Sequence, residues 1–115
     1  MKIEYINSSA KKALLGLPKE IQIQIQFLND LHRVPNGKRP LSDFKHLEGI
    51  GSGVIELIEN STQAYRAVYC AKYLDTVFIL HAFTKTTNGV DCKAMATVVQ
   101  RYKALMAKTW QVPRR

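Results

Sequence analysis

Three apolar runs packed between Gly51 and Lys85 constrain this chain more than any other feature: VIELIEN, YRAVYCAKY and TVFILHAFT. Each is rich in β-branched and aromatic residues, and the breaks between them, NSTQ and LD, are short. The pattern predicts consecutive strands over Val54 to Asn60, Tyr65 to Tyr73 and Thr76 to Thr84 on an antiparallel sheet. The LD break is short enough for a tight hairpin turn, although it lacks the usual glycine. Isolated charges, Glu56, Arg66 and Lys85, sit inside or at the ends of these runs. A cationic sheet with an arginine in its middle strand suits a phosphodiester ligand.

The flanks complete the pattern. KIEYI near the start alternates and reads as a short strand. Ser8 or Ser9 can cap a helix over AKKALLGL, broken by Gly16 and Pro18, and Pro18 can occupy the first turn of the next helix. PKEIQIQIQFLNDLHR carries two signals. Its isoleucines alternate like a strand, yet Ile21, Ile25, Leu28 and His32 form one helical stripe and Ile23, Phe27 and Leu31 a second. Length, the absence of glycine and the Pro-Lys-Glu start favour helix. A helix apolar on two sides needs two partners, the sheet and either the preceding helix or another protein. RVPNGKRPLSDFKHLEGIGSG reads as loop. From Asp91, a capping residue, Met95, Val98, Val99, Tyr102, Leu105 and Met106 form the stripe of an amphipathic helix, with Lys93, Arg101, Lys103 and Lys108 on other faces. The tail QVPRR reads as a flexible end.

The order strand, two helices, three strands, helix is an α+β arrangement. With 115 residues, no repeat and no shift in composition, it is expected as a single domain over residues 1–115. The net charge of +8 and pI near 9.7 point to a polyanionic partner. No secretory segment follows Met1, and no apolar run approaches the roughly 20 residues that span a bilayer, so a cytoplasmic location without a membrane partner is expected. Cys70 and Cys92 are too few for a disulfide framework or a zinc site; Cys70 is expected in the core, and no metal or other cofactor is expected.

RPLSDFKHLEGIGSGVIELIE, AYRAVY and FILHAFTK, followed by a terminal helix, resemble the RelE/ParE superfamily of toxins, most closely its phage-derived, HigB-like branch. The resemblance covers nearly the whole chain. It implies a RelE-like fold, a small antiparallel-rich twisted sheet of about four strands with two N-terminal helices and one C-terminal helix. It also implies the toxin of a type II toxin-antitoxin system: a ribosome-dependent endoribonuclease that cleaves messenger RNA and is silenced by an antitoxin, expected as a helix-turn-helix protein. Two alternatives stay open, a ParE-like, non-enzymatic inhibitor of DNA gyrase, and a nuclease-dead relative that binds nucleic acid or antitoxin.

In such cleavage the ribose 2′-hydroxyl attacks the adjacent phosphate, so the protein must accept a proton, hold the phosphorane and supply a proton to the leaving oxygen. Arg66, at a sheet position expected to be partly exposed, matches the family's YR position, and Lys85 matches the first lysine of its terminal KK. Both are expected as phosphate contacts; alternatively, Arg66 pairs with Glu56 and Lys85 is a solvated strand end. Glu56 matches the acidic residue of the ELR segment, and orienting Arg66 is its favoured role, because a bare carboxylate beside phosphate would repel substrate. His81 matches the histidine within LHAF and titrates near neutrality, although a mid-strand histidine is more often structural. Lys45, His46, Thr86 and Lys93 complete the expected RNA-binding set, and His46 and His32 are weaker acid or base candidates than His81. Of Tyr65, Tyr69, Tyr73 and Phe83, at most one or two are expected to stack on bases. Ile58 stands where relatives carry the arginine of ELR, and Thr86 where they carry the second lysine, so two cations expected near the phosphate are missing.

Overall fold

The computed structural model describes residues 2–17, 23–60, 64–71, 76–86 and 88–110. The Pro18 helix start, the position of Ile21, the NSTQ and LD turns except Asn60, Tyr73 and the QVPRR tail lie outside them. Strand β1 (Lys2–Tyr5) is followed by helices α1 (Ser8–Leu15) and α2 (Ile23–Arg33). A 3-10 turn at Val34–Asn36 leads into β2 (Asp43–His46), then β3 (Val54–Glu59), β4 (Ala64–Cys70), β5 (Thr76–Lys85) and α3 (Cys92–Trp110).

The fold is α+β, with a five-strand sheet in the order β1-β5-β4-β3-β2 and three helices. Strands β2 to β5 form an antiparallel meander, whereas β1 joins the far edge parallel to β5, so the sheet is mixed. The expectation of about four strands is corrected by β2. Its only apolar residue is Phe44, and it lies in the segment read as loop. An edge strand this short is defined by its partner rather than by alternation of its own: Asp43 to His46 pair with Ile58 to Ile55. The helices also differ from expectation. The 3-10 turn carries α2 into the supposed loop, and the cap of α1 is Asn7, not Ser8 or Ser9, its Oδ1 accepting from Ala10 N at 2.8 Å. Asp91 does cap α3, accepting from Ala94 N at 3.0 Å.

Each sheet face carries its own core. Leu14 and Leu17, from α1 and just beyond it, and Phe27 and Leu31 from α2 pack on Leu57, Tyr65, Ala67, Tyr69, Val77 and Ile79. The α2 stripe through Phe27 and Leu31 thus finds its partners inside the chain, in one cluster with the sheet and α1. The side chains of Ile25 and Leu28 in the other stripe lie outside the described set. On the other face Val98 and Leu105 of α3 bury against Val54, Val68, Cys70, Phe78 and Leu80, with Met95, Tyr102 and Met106 packed around them. Full burial of each such side chain stabilises by about 1.5–3 kcal/mol. Cys70 is a core residue, as expected, and neither cysteine forms a disulfide.

A bulge decides which residues share the α3 face. Val68 pairs with His81, but Tyr69 pairs with Ile79, so Leu80 is an extra residue in β5. Before the bulge Phe78 and Leu80 face α3; beyond it Phe83 does, while Ala82 joins the opposite core.

Candidate nucleic-acid interface

Two cross-strand rows result on the α3 face. One runs Lys45, Glu56, Val68, His81; the next runs Asp43, Ile58, Arg66, Phe83. The charged residues, scattered through the sequence, are thereby neighbours across the sheet. Glu56 is the hinge between the rows. Its Oε1 is 3.5 Å from Lys45 Nζ and 3.9 Å from Arg66 Nε. Glu56 and Arg66 are both buried, at 5% and 8% exposure, whereas the Lys45 side chain is more than half exposed, at 56%.

Arg66 is further held by its own surroundings. Nη1 donates to Asn60 Oδ1 at 3.0 Å and to the Tyr65 carbonyl at 2.9 Å. The expectation of partial exposure is corrected: packing buries the side chain, because Phe83 on one side and Ile58 on the other flank it in the sheet. Asn60, read as the end of a strand and the start of a turn, is the unexpected partner. A hydrogen-bonding role for a residue at a strand end has no signal in the sequence.

Exposed Lys45 and half-buried Lys85 open onto a cleft of about 500 Å³ beside the sheet. Lys45, His46, Glu56, Phe83, Lys85 and Asp91 are among its lining residues, with Met95 of α3 at its side. Arg66 lines neither this cleft nor the adjoining one, so it reaches the first cleft only through Glu56. The adjoining cleft, about 670 Å³, is lined by His81, Thr86, Lys93 and Thr97 and shares Phe83, Val90 and Asp91 with the first. Lys45, His46, Glu56 and Lys85 therefore gather at one cleft and His81, Thr86 and Lys93 at the other. His32 lies away from both, on α2. Tyr65 and Tyr69 are buried on the opposite face; among the described residues of the four stacking candidates, Phe83 is the one that lines the clefts.

His81 has a partner that periodicity did not reveal. Arg101 of α3 donates through Nη1 to the Leu80 carbonyl at 2.8 Å and lies 3.0 Å from His81 Nδ1. Burial first, then the Arg101 charge, push His81 down to about 4, against an opposing pull from Asp91. The ring is neutral at pH 7, and its plane is held by stacking on Phe83, with centroids 5.4 Å apart and an interplanar angle of 23°.

The sequence profile described as Phage derived protein Gp49-like (DUF891) matches residues 12–103, from α1 into α3 and across every candidate site residue. The chain belongs to the Gp49-like family. This family is part of the RelE/HigB-type toxin superfamily and is associated with the toxins of toxin-antitoxin systems. A comparison with curated proteins yields no match. Among the described residues of this Gp49-like protein, no helix is long and apolar enough to cross a membrane.

Proposed function

We propose that this Gp49-like protein is a HigB-like toxin of a type II toxin-antitoxin system, a ribosome-dependent endoribonuclease acting on messenger RNA in the cytoplasm and silenced by a helix-turn-helix antitoxin. The observation that carries the reading is the gathering of Lys45, His46, Glu56 and Lys85 around one cleft in a member of this superfamily. In this reaction the 2′-hydroxyl oxygen bonds to the adjacent phosphorus and gives up its proton. The bond from phosphorus to the 5′-oxygen breaks, and that oxygen takes a proton. The products are a 2′,3′-cyclic phosphate and a 5′-hydroxyl. Exposed Lys45 and half-buried Lys85 are the cleft-lining cations suited to nonbridging oxygens, where one well-placed charge contributes about 2.7–4 kcal/mol of transition-state stabilisation. Glu56 holds Arg66 and Lys45 in place, the orienting role, and Arg66 adds positive potential from beneath. Lys93 and Thr86 extend the RNA path into the second cleft. Cleft water takes the 2′-hydroxyl proton and returns one to the 5′-oxygen, cations and hydrogen-bond donors hold the phosphorane, and the chemistry uses no metal ion.

The test is induced expression followed by primer extension on ribosome-bound message with and without chelator. Growth arrest relieved by an adjoining antitoxin, and cuts that persist in chelator with cyclic 2′,3′-phosphate or 3′-phosphate ends, are expected. Normal growth at confirmed expression would refute the toxin, and 5′-phosphate products would refute the mechanism. A second reading is favoured by Arg66, already occupied by Asn60, Tyr65 and Glu56, and by Ile58 and Thr86 at usually basic positions. It is a non-enzymatic inhibitor of DNA gyrase or a binding-only relative. Growth arrest without RNA cleavage, with purified gyrase inhibited, would favour the gyrase form of it.

A further inference from the structure

The β5 bulge turns His81 toward α3, where Arg101 Nη1 bridges the Leu80 carbonyl and His81 Nδ1. A guanidinium has donors only, so Nδ1 must be the bare, accepting nitrogen, and the single proton of the neutral ring sits on Nε2. The Leu80 contact anchors Arg101 against the bulge itself, so the guanidinium cannot swing away without freeing a backbone carbonyl. Phe83 fixes the ring plane. Among the described residues no other hydrogen bond engages the ring, and His81 lines the second cleft. The charged and titratable groups around it are Arg101 from α3, Asp91 and Cys92 at the start of that helix, and Lys93 across the cleft. Depression of its basicity keeps the ring uncharged at neutral pH.

We infer that His81 is a fixed, neutral hydrogen-bond donor of the second cleft, offering Nε2–H to an acceptor oxygen of single-stranded RNA, and that Arg101 is the positioning residue that sets this tautomer. The RNA part rests on the nucleic-acid reading above; the tautomer part does not. The role differs from proton transfer, because a donor of fixed charge needs only geometry. A glutamine in place of the histidine can put an amide N–H near the imidazole Nε2, whereas a phenylalanine cannot.

The experiment uses the whole chain labelled with 15N-histidine. Long-range proton–nitrogen spectra at neutral pH should show His81 with a bare Nδ1 and a protonated Nε2. Arg101→Lys should keep that state, and Arg101→Met should give a tautomer mixture. Binding of a fluorescent single-stranded RNA oligonucleotide should stay within about twofold of wild type in His81→Gln, weaken about fivefold in His81→Phe, the equivalent of one neutral hydrogen bond, and weaken less than that in Arg101→Met, where part of the rings still present Nε2–H. Thermal melts check that each variant is folded, and the two His81 variants leave Arg101 in place should Arg101→Met unfold. A protonated Nδ1 in wild type, an unchanged tautomer in folded Arg101→Met, or equal RNA affinity in His81→Gln and His81→Phe would overturn the inference. So would a failure of folded wild type to bind the RNA. Retained binding and tautomer in a chain that does not arrest growth would overturn only the toxin reading.

Discussion

Arg66 and His81 show how burial changes what a charged or titratable residue can do. Arg66 is 8% exposed and spends its donors on Asn60, the Tyr65 carbonyl and Glu56. Arg66→Ala removes those bonds and leaves Glu56 buried with only the solvated Lys45 beside it, so a stability loss of about 2–3 kcal/mol is expected. A urea titration reads it as a lower midpoint at unchanged slope; an unchanged midpoint would mean that the network contributes little. Loss of toxicity in this variant therefore speaks for a role of the Arg66 charge behind the cleft only at matched folded fraction. His81 makes a pH prediction. Its proton affinity is lower in the folded chain, with a pKa of about 4 against 6.5, so the unfolded chain takes the proton first as pH falls. The stability contributed by the neutral ring is complete above pH 6.5 and is lost between 6.5 and about 4. Melting temperatures across that window should fall more steeply for wild type than for His81→Gln. Parallel curves would show that other groups set the acid limb.

At the scale of elements, α3 is docked through a close approach at Gly51. A Cβ placed there would lie 2.1 Å from Tyr102 Cζ and 2.4 Å from its hydroxyl. The loop after β2 can pass under the helix only because Gly51 has no side chain. Gly51→Ala must displace the Tyr102 ring or the loop, at a cost of about 1–3 kcal/mol. The same loop, with Leu47 N donating to the Val54 carbonyl at 2.8 Å, forms one wall of the first cleft. In a double-mutant cycle, Tyr102→Leu should relieve part of the Gly51→Ala penalty. Strict additivity of the two changes would show that the ring is not what the new methyl group meets.

For the whole molecule the governing quantity is the net charge of +8. Single-stranded RNA binding should weaken linearly in log–log fashion with salt, because phosphate contacts release counterions. Lys45 is exposed at the first cleft and Lys85 also lines it. Lys45→Ala and Lys85→Ala should each reduce the magnitude of the salt slope by about 0.7 per lost contact, while Lys103→Ala should leave it unchanged. Titrations at several salt concentrations measure this directly. Equal slopes in all three variants would move the interface off this face.

Strong local pattern made β1, β3, β4, β5 and α3 readable in the chain. Alternating apolar runs, an acidic cap and a helical stripe each act over a few residues and say which face of an element avoids water. Isolated charges within or at the ends of apolar strands marked Glu56, Arg66 and Lys85 before any of them had neighbours, and the resemblance to the toxin superfamily marked His81. Other features depend on partners distant in the chain. Strand β2 exists because β3 offers an edge to an almost wholly polar segment. The parallel pairing of β1 follows from α1 and α2 covering one face. The burial of Arg66 follows from register, which sets it between Ile58 and Phe83. The Arg101–His81 contact follows from one extra residue in β5, which shifts the alternation beyond Leu80 so that His81 and Phe83 address α3. Side-chain alternation is a short-range rule, and a single bulge placed by packing reverses it for every residue that follows.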